Sequence, residues 1–405
     1  MGISIGLVGV GAFGSAFAEL FKAHPLVDRV ALCDREPARV QAFASKDSWR
    51  DKFSPKDIYA SLDDICRSDL DALVIITQHW LHAPQCIQAL EAGKHVYSAV
   101  PLITIPDSDE TLDWCDKLVQ TVRRTGLSYM YGETTYYRPE TMFCRRKAAE
   151  GAFGDFVHAE GEYFHDVDEG ACCLRHVREN RFGSVAGREW QELLKTRYID
   201  RGIKEGPMHY PTHSTCGPVC VMNAHAVKVT AYGFRNRNGD PYFGDAAFSN
   251  ETAFFRMSNG ATVRICEHRE IAGSIDDEHE TFRVLGTRGT FVNGEWKLKQ
   301  PGMKFGPTPL IRHKPTLEEM RDPLPPDVEA AFRAINPNSD FYGGHGGSHA
   351  YLVNEFVDAI AHGRTPAINV WEAVRYMAMG AVAHKSALRD GETLDVPDWG
   401  DAPRK

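Results

Sequence analysis

The first fourteen residues, MGISIGLVGVGAFG, constrain this chain more than any other stretch. Ile3 to Val8 is an apolar run that reads as a buried strand, and it enters Gly9-Val10-Gly11-Ala12-Phe13-Gly14 directly. An apolar, helix-like segment, Ser15 to Phe21, follows. Strand, glycine turn and helix in that order are what a dinucleotide site requires. Gly9 allows the tight turn, Gly11 lets backbone approach a pyrophosphate, and Gly14 lets the helix pack on the strand. The helix start, at Ala12 and Phe13, offers free N–H groups and partial positive charge to the phosphates. A second apolar run, Val30 to Cys33, ends at Asp34, placed to accept hydrogen bonds from a ribose 2′-hydroxyl. This predicts NAD in preference to NADP, although the adjacent Arg35 leaves room for a 2′-phosphate.

A chain of 405 residues exceeds what one hydrophobic core serves, so two domains are expected. Residues 1–130 read as the dinucleotide-binding domain and 131–405 as a substrate-binding and oligomerisation domain ending in helices. The formal net charge of −9 excludes nucleic acid and anionic membrane as partners, since either needs a basic face. No apolar run reaches the length of a membrane span. The sequence enters its first strand without a basic region, apolar core and cleavage site, which predicts a cytoplasmic protein. The ten cysteines are scattered without a C-x-x-C pair and read as reduced thiols. The adjacent Cys172 and Cys173 also admit a redox pair, the weaker reading.

Up to about residue 125 strands and helices alternate. Leu73 to Thr77 is a buried strand, followed by Gln78-His79-Trp80-Leu81-His82 and a helix from Ala83 to Ala92 that Gly93 ends. A short strand over 94–98 leads into Val100-Pro101. A helix over about 111–124 and a strand over 128–131 complete a parallel, doubly wound sheet. Ligands of such sheets lie beyond the carboxyl ends of the strands. Loops at 9–14, 77–82, 97–102 and 132–138 should ring the cofactor, which brings in Thr77, His79, His82, Val100, Pro101 and Glu133. From residue 155 the pattern alternates with period two, at 156–163, 228–234, 250–257, 262–267 and 280–285. That predicts an α+β domain with an open, mostly antiparallel sheet. The segment 295–345, rich in Pro, Gly and charge, reads as a long surface loop, and helices over 349–361 and 371–388 end the fold.

Ala92-Gly93-Lys94-His95-Val96, Arg138-Pro139-Glu140 and Leu285-Gly286-Thr287-Arg288-Gly289-Thr290 resemble landmarks of the Gfo/Idh/MocA family, NAD(P)-dependent oxidoreductases that handle sugars. The family's usual Glu-Lys-Pro, whose lysine assists proton transfer, is replaced here by Ala99-Val100-Pro101. Other acid/base residues stand nearby in sequence. Tyr163-Phe164-His165-Asp166 puts Tyr163 and His165 on one side of a strand. His209-Tyr210-Pro211-Thr212-His213 and Gly344-His345-Gly346-Gly347 follow. Together with Val-Pro in the lysine motif, these are similar to glycoside hydrolase family 109, whose members use tightly held NAD to hydrolyse glycosides without net redox change. The sequence after His213 and the region 166–206 depart from that family, which leaves the sugar open.

The resemblance implies that Tyr163, His165, Tyr210 and His213 line a sugar site. In the chemistry it implies, carbon 3 of the sugar is oxidised, the ketone acidifies the hydrogen on carbon 2, the aglycone leaves carbon 1, water adds, and the hydride returns. That route needs several groups that move protons near neutral pH, which His and Tyr supply, outside the two-carboxylate scheme of most glycosidases. His213 is expected as base at the carbon 3 hydroxyl, Tyr210 or Tyr163 as base at carbon 2, and His165 at the leaving group or water. Tyr136, His209 and His345 are expected to contact the sugar. Each residue has a plainer reading: Tyr163 as sheet packing, Glu133, Tyr136 and Tyr137 as domain-interface wall, His82 as packing for the cofactor loop, and His345 as a helix cap. His209 and His213 are four apart, but Pro211 between them breaks the helix a metal pair would need, so no metal is expected. A conventional sugar or polyol dehydrogenase and a non-catalytic dinucleotide-binding regulator are the alternative functions. A homo-oligomer is implied by the resemblance.

Overall fold

A computed structural model describes residues 2–170, 173–274, 280–300, 309–335, 337 and 343–403. Strands β1 (Ile3–Val8), β2 (Val27–Cys33), β3 (Ile58–Tyr59), β4 (Ala72–Ile75), β5 (His95–Ser98) and β6 (Tyr129–Tyr131) form a parallel sheet. Its strand order is β3-β2-β1-β4-β5-β6. The intervening helices are α1 (Ala12–Ala23), α2 (Pro37–Ala44), α3 (Leu62–Cys66), α4 (His82–Glu91) and α5 (Ser108–Thr125). Covered on both faces, the central strands are continuously apolar, and Ile5, Leu7, Val30, Leu73 and Val74 are fully buried. Their limits follow from local chemistry. Asp107 accepts from the N–H groups of Asp109 and Glu110 at the start of α5, and Gly126 ends it in the left-handed region. The strand order reverses between β1 and β4, so the loops after those two strands open onto one crevice.

After α6 (Pro139–Ala149) comes a nine-stranded sheet ordered β14-β13-β12-β11-β7-β10-β9-β8-β15. Its strands are β7 (Phe156–Phe164), β8 (Ala226–Phe234), β9 (Asn250–Met257), β10 (Thr262–His268), β11 (Glu280–Gly286), β12 (Gly289–Val292), β13 (Glu295–Lys299), β14 (Leu310–His313) and β15 (Leu394–Asp395). Every pairing is antiparallel except β7 with β10. One face, with Ala159, Val263, Ile265 and Phe255, is buried against α9 (Thr212–Met222) and its neighbours. The other is open: Tyr232, Phe234 and Phe254 are exposed beside an ion-pair ladder of Glu160, Glu162, Arg264 and Arg283.

Three segments differ from expectation. The stretch 295–345 is not one long loop, since it contains β13, β14, α10 (Leu317–Met320) and α11 (Pro326–Ile335). Residues 174–197, unassigned by pattern, form the helical hairpin α7 (Leu174–Gly183) and α8 (Val185–Arg197). The last helices, α12 (Ser348–Ala361) and α13 (Val370–Leu388), run back to the first layer. There α12 packs on α1 and α13 on α5, and the Tyr131 N–H donates to the Ile368 carbonyl at 2.8 Å. Cysteines such as Cys33, Cys86, Cys115 and Cys216 are buried free thiols, while Cys172 of the proposed redox pair lies outside the described residues. No helix among the described residues is long and apolar enough to cross a membrane.

Candidate active site

The glycine turn follows the switch point between β1 and β4. Gly9 has φ +91°, and a Cβ there would meet the Ile76 carbonyl oxygen at 2.2 Å, so both the turn and the approach to the loop after β4 exclude a side chain. A Cβ on Gly14 would meet the Gly9 carbonyl oxygen at 2.1 Å. Gly11 is different. The nearest atom to its virtual Cβ is the Arg39 guanidinium at 3.5 Å, so nothing inside the protein demands glycine there. That is the cradle a pyrophosphate fills above the first turn of α1. The Phe13 ring, 38% exposed, stands edge-on to His345 and His349.

Asp34 is held by the chain itself, accepting from the N–H of Val10 at 2.9 Å and of Glu36 at 2.8 Å. Arg39, not Arg35, lies beside it at 3.6 Å. Arg35 makes a two-pronged ion pair with Glu189 of α8, both contacts at 2.7 Å. On the other side of the crevice the Thr77 hydroxyl donates to Gln85. The buried His82 ring lies between two carbonyls, with Nδ1 2.7 Å from that of Pro101 and Nε2 3.3 Å from that of Thr77, and as a neutral ring it donates to one of them. Burial holds this ring neutral, with its pKa lowered to about 4. Thus His82 braces the loops after β4 and β5, while Val100, joined to Pro101 by a cis bond, is buried where the lysine motif would be.

The four residues expected to carry acid/base chemistry come together. Gly161 in β7 permits it: a Cβ there would strike the Ser214 carbonyl at 1.8 Å, so α9 lies directly on the strand. The Tyr163 hydroxyl is 2.8 Å from His165 Nδ1. Ring centroids separate Tyr163 from His213 by 5.2 Å, Tyr210 from His213 by 5.5 Å and Tyr163 from Tyr210 by 6.4 Å. His79 stands 5.3 Å from Tyr210. His213 Nδ1 donates to the buried Glu133 carboxylate at 2.8 Å, and Glu280 lies 3.6 Å away. Burial alone would lower the His213 pKa, but the two carboxylates outweigh it and raise the ring to about 9. The same attraction holds Glu133 below the usual carboxylate range despite its burial. Burial raises both phenols, more than the Arg269 guanidinium 4.4 Å over the Tyr163 ring lowers that one. His345, hydrogen-bonded to His349 at 2.9 Å, faces this cluster as a neutral ring, lowered to about 4 by burial and then by His213.

Two expected sugar contacts are not brought in. His209 is buried against the His384 ring at 4.4 Å and bonded to the Ser108 hydroxyl at 3.0 Å. Tyr136 lies under the Arg145 guanidinium at 3.9 Å and edge-on to Tyr137. Several site residues escape sequence reasoning. Sheet register sets Tyr163 between Glu267 on β10 and Glu280 on β11. Glu267 pairs with Arg269 at 2.6 Å and accepts from the Ser214 hydroxyl, while Glu280 pairs with Arg138 at 2.7 Å and accepts from the Thr135 hydroxyl. Their signal was available: each is a carboxylate on the covered face of its strand, in line with Ile265 or Val284. Arg181 of α7 donates to His79 Nδ1 at 3.1 Å and carried no such signal. Among the described residues no group of three or more His, Cys, Asp or Glu side chains could hold a metal ion.

The α7–α8 hairpin spans this crevice. Besides Arg35–Glu189, Val185 N–H reaches the Glu36 carboxylate at 3.4 Å, the Trp190 ring stacks on Trp80 at 4.9 Å, and Arg197 pairs with Glu110 at 2.7 Å.

The NAD-binding Rossmann model of the Gfo/Idh/MocA oxidoreductase family matches residues 3–133, and the C-terminal domain model of glycosyl hydrolase 109 matches residues 329–403. A glycosyl hydrolase family 109 protein of Stenotrophomonas maltophilia is 24% identical, with 98% of this chain and 89% of that one covered. An alpha-N-acetylgalactosaminidase of Shewanella oneidensis is 22% identical, with 98% and 85% covered. The fold is similar to an oxidoreductase domain protein from Kribbella flavida (TM-score 0.72, 18% identity, 98% and 100% covered). It is also similar to scyllo-inositol dehydrogenase from Lactobacillus casei with NAD(H) and scyllo-inositol bound (TM-score 0.65, 16% identity, 98% and 99% covered).

Proposed function

We propose that this chain, a Gfo/Idh/MocA enzyme whose C-terminal part is that of glycosyl hydrolase family 109, is a glycosidase that oxidises its sugar transiently and restores it. The observation that carries this reading is the number of proton-transferring groups in one place. His213, Tyr210, Tyr163 and His165 cluster beyond the strand ends, where a single hydride transfer needs one base and elimination with water addition needs several. The residues around the glycine turn fit NAD, which when bound would take hydride from carbon 3 and give it back. Asp34 favours NAD over NADP, because its carboxylate would repel a 2′-phosphate, Arg35 is committed to Glu189, and the charge of the neighbouring Arg39 is shared with Asp34 itself at 3.6 Å.

The chain's own groups divide the proton work. His213 commits Nδ1 to Glu133, so Nε2 is the atom that exchanges a proton with the carbon 3 hydroxyl. Glu133 and Glu280 make the imidazolium the resting form at neutral pH, so the proton from carbon 3 is taken by the neutral ring, whose share grows as pH approaches 9. Tyr163 and Tyr210 flank His213 at carbon 2; burial keeps both phenols protonated, so Tyr163 can act as base there only as its own proton passes to His165 Nδ1. If the Tyr163 hydroxyl donates to His165 Nδ1, the Nε2–H of His165 is left to assist the aglycone or the entering water. The hairpin over the crevice suits a cofactor kept from one turnover to the next. We further propose two domains that meet near residue 130, and a homo-oligomer that covers the open sheet face around Tyr232, Phe234 and Phe254.

The test follows two signals at once. Chromogenic α- and β-glycosides and the matching free sugars are incubated with enzyme and NAD, and aglycone and NADH are recorded together. The expected result is aglycone release without accumulating NADH. NADH accumulating on free sugars, with no aglycone, would replace this reading by a dehydrogenase.

A further inference from the structure

The arginines around the site differ in how their charges are met. Arg269 has Glu267, Arg138 has Glu280, and Arg175 has Asp168 and Asp240. Arg181 has no carboxylate within ion-pair distance among the described residues. Its hydrogen bond goes to His79, a ring held neutral by burial and by Arg181 itself. It faces the Tyr210 and Tyr242 rings, which carry no charge at neutral pH. Arg178, one turn earlier on α7, donates to the Tyr242 carbonyl and lies over that ring at 4.8 Å, and unlike Arg181 it has carboxylates near it, Glu205 and Asp240. The Arg181 guanidinium is half-buried and meets no carboxylate among the described residues, and desolvation pulls its affinity for the proton down. Such a group is open to a ligand anion.

We propose that Arg181 receives an oxyanion carried by the substrate, so that the sugar accepted here is an acidic one bearing a carboxylate, sulfate or phosphate. The geometry supports a division of the site about Tyr210. One side of that ring is His213, where the sugar carbons react, and the other is His79 with Arg181. One nitrogen of Arg181 is used by His79, and the remaining N–H groups form the planar fork that suits two oxygens of one anion. The cofactor's pyrophosphate has its own cradle at Gly11, so it is not the anion this cation awaits. Arg181 belongs to the 166–206 stretch that sets this sequence apart, which is where a change of sugar would be encoded. This inference rests on the sugar-site reading above and names the substrate class within it.

Calorimetry on the NAD-loaded protein tests it. The titrants are galactose and glucose, their uronic acids, and their 6-sulfates and 6-phosphates. The proteins are wild type, Arg181→Gln and Arg181→Lys, each checked for its melting temperature and NAD content. At least one acidic sugar is expected to bind roughly 10- to 100-fold more tightly than its neutral parent in the wild type. The preference should vanish in Arg181→Gln and return in part in Arg181→Lys, and the tightest titrant identifies the oxyanion. Neutral sugars binding as well as every acid, a preference intact in Arg181→Gln, or no measurable binding of any acid would each overturn the proposal. So would loss of NAD from Arg181→Gln with no acidic-sugar preference in the wild type, which would make Arg181 a partner of the cofactor phosphates. The glycosidase reading fails separately. An Arg181-dependent preference without aglycone release from the acidic glycoside keeps the subsite and removes the hydrolysis. Aglycone release from neutral glycosides without that preference does the reverse.

Discussion

Gly11 and Gly14 stand three positions apart and leave out side chains for different reasons. The space beside Gly11 belongs to a ligand, with 3.5 Å to the nearest protein atom, whereas the space beside Gly14 is filled by the Gly9 carbonyl at 2.1 Å. Gly11→Ala should therefore fold with a melting point near that of wild type yet lose retained NAD, because the methyl group occupies the pyrophosphate cradle. Gly14→Ala should cost about 2–4 kcal/mol of stability by forcing helix and strand apart. Thermal melts with NAD content measured on the same samples decide it, and a destabilised Gly11→Ala would mean that the cradle is part of the core. This contrast also separates what sequence made legible from what it hid. Gly9, Asp34, Tyr163, His165, Tyr210 and His213 were readable because strand, turn and short motif fix their setting locally. His209 shares a short motif with Tyr210, yet Tyr210 turns toward His213 while His209 turns to Ser108 and His384. Tyr136 likewise packs on Arg145. Glu267, Glu280 and Arg181 come from distant segments, and only sheet register or a helical hairpin brings them to Tyr163 and Tyr210.

At the scale of elements the hairpin α7–α8 was the least foreseeable part. Leu174–Gly183 carries three arginines in ten residues and no buried side chain, so it lacks the apolar stripe by which helices are recognised. Its stability comes from what it lies on: Trp190 against Trp80, Glu189 against Arg35, and Arg197 with Tyr198 against Glu110. The 295–345 stretch was misread for a related reason, since elements such as Leu317–Met320 and Leu310–His313 are too short to show a period amid Pro and Gly. If the hairpin straps the cofactor in, loosening it should speed release of NAD without disabling the Rossmann turn. Trp190→Ala removes the stacked ring and its buried area, and NAD should dissociate at least about 10-fold faster. Rapid dilution into a cofactor scavenger measures this directly. A release rate equal to that of wild type would show that the hairpin covers the site without holding its occupant.

For the whole molecule, the buried histidines predict how stability varies with pH. His24, His82 and His345 are lowered to about 4 and His349 to about 3, in each case chiefly by burial. These rings fold neutral, and the unfolded chain binds their protons first. Their contribution is complete above the unfolded value near 6.5 and is lost as pH falls toward 4. A fully buried ring of this kind gives up about 3 kcal/mol across that interval, and a few of them together approach a typical domain's entire stability. His213 works in the opposite sense. Raised to about 9 by Glu133 and Glu280 against burial, it stabilises the fold fully below pH 6.5 and loses that contribution as pH climbs through 9. His384, raised by Glu251 against its burial, acts in the same direction. The melting temperature of the cofactor-free protein should thus peak near pH 6.5, fall steeply toward cooperative unfolding between pH 5 and 4, and decline more gently by pH 9. His213→Gln should flatten the alkaline limb and leave most of the acid limb in place, because that limb belongs to rings lowered chiefly by burial, and of those four rings only His345 also feels His213. Melts followed by circular dichroism from pH 4 to 10 provide the check. An alkaline limb unchanged in His213→Gln would mean that Glu133 and Glu280 do not hold an imidazolium between them, and would remove the ion pair on which the proton chemistry of this site was built.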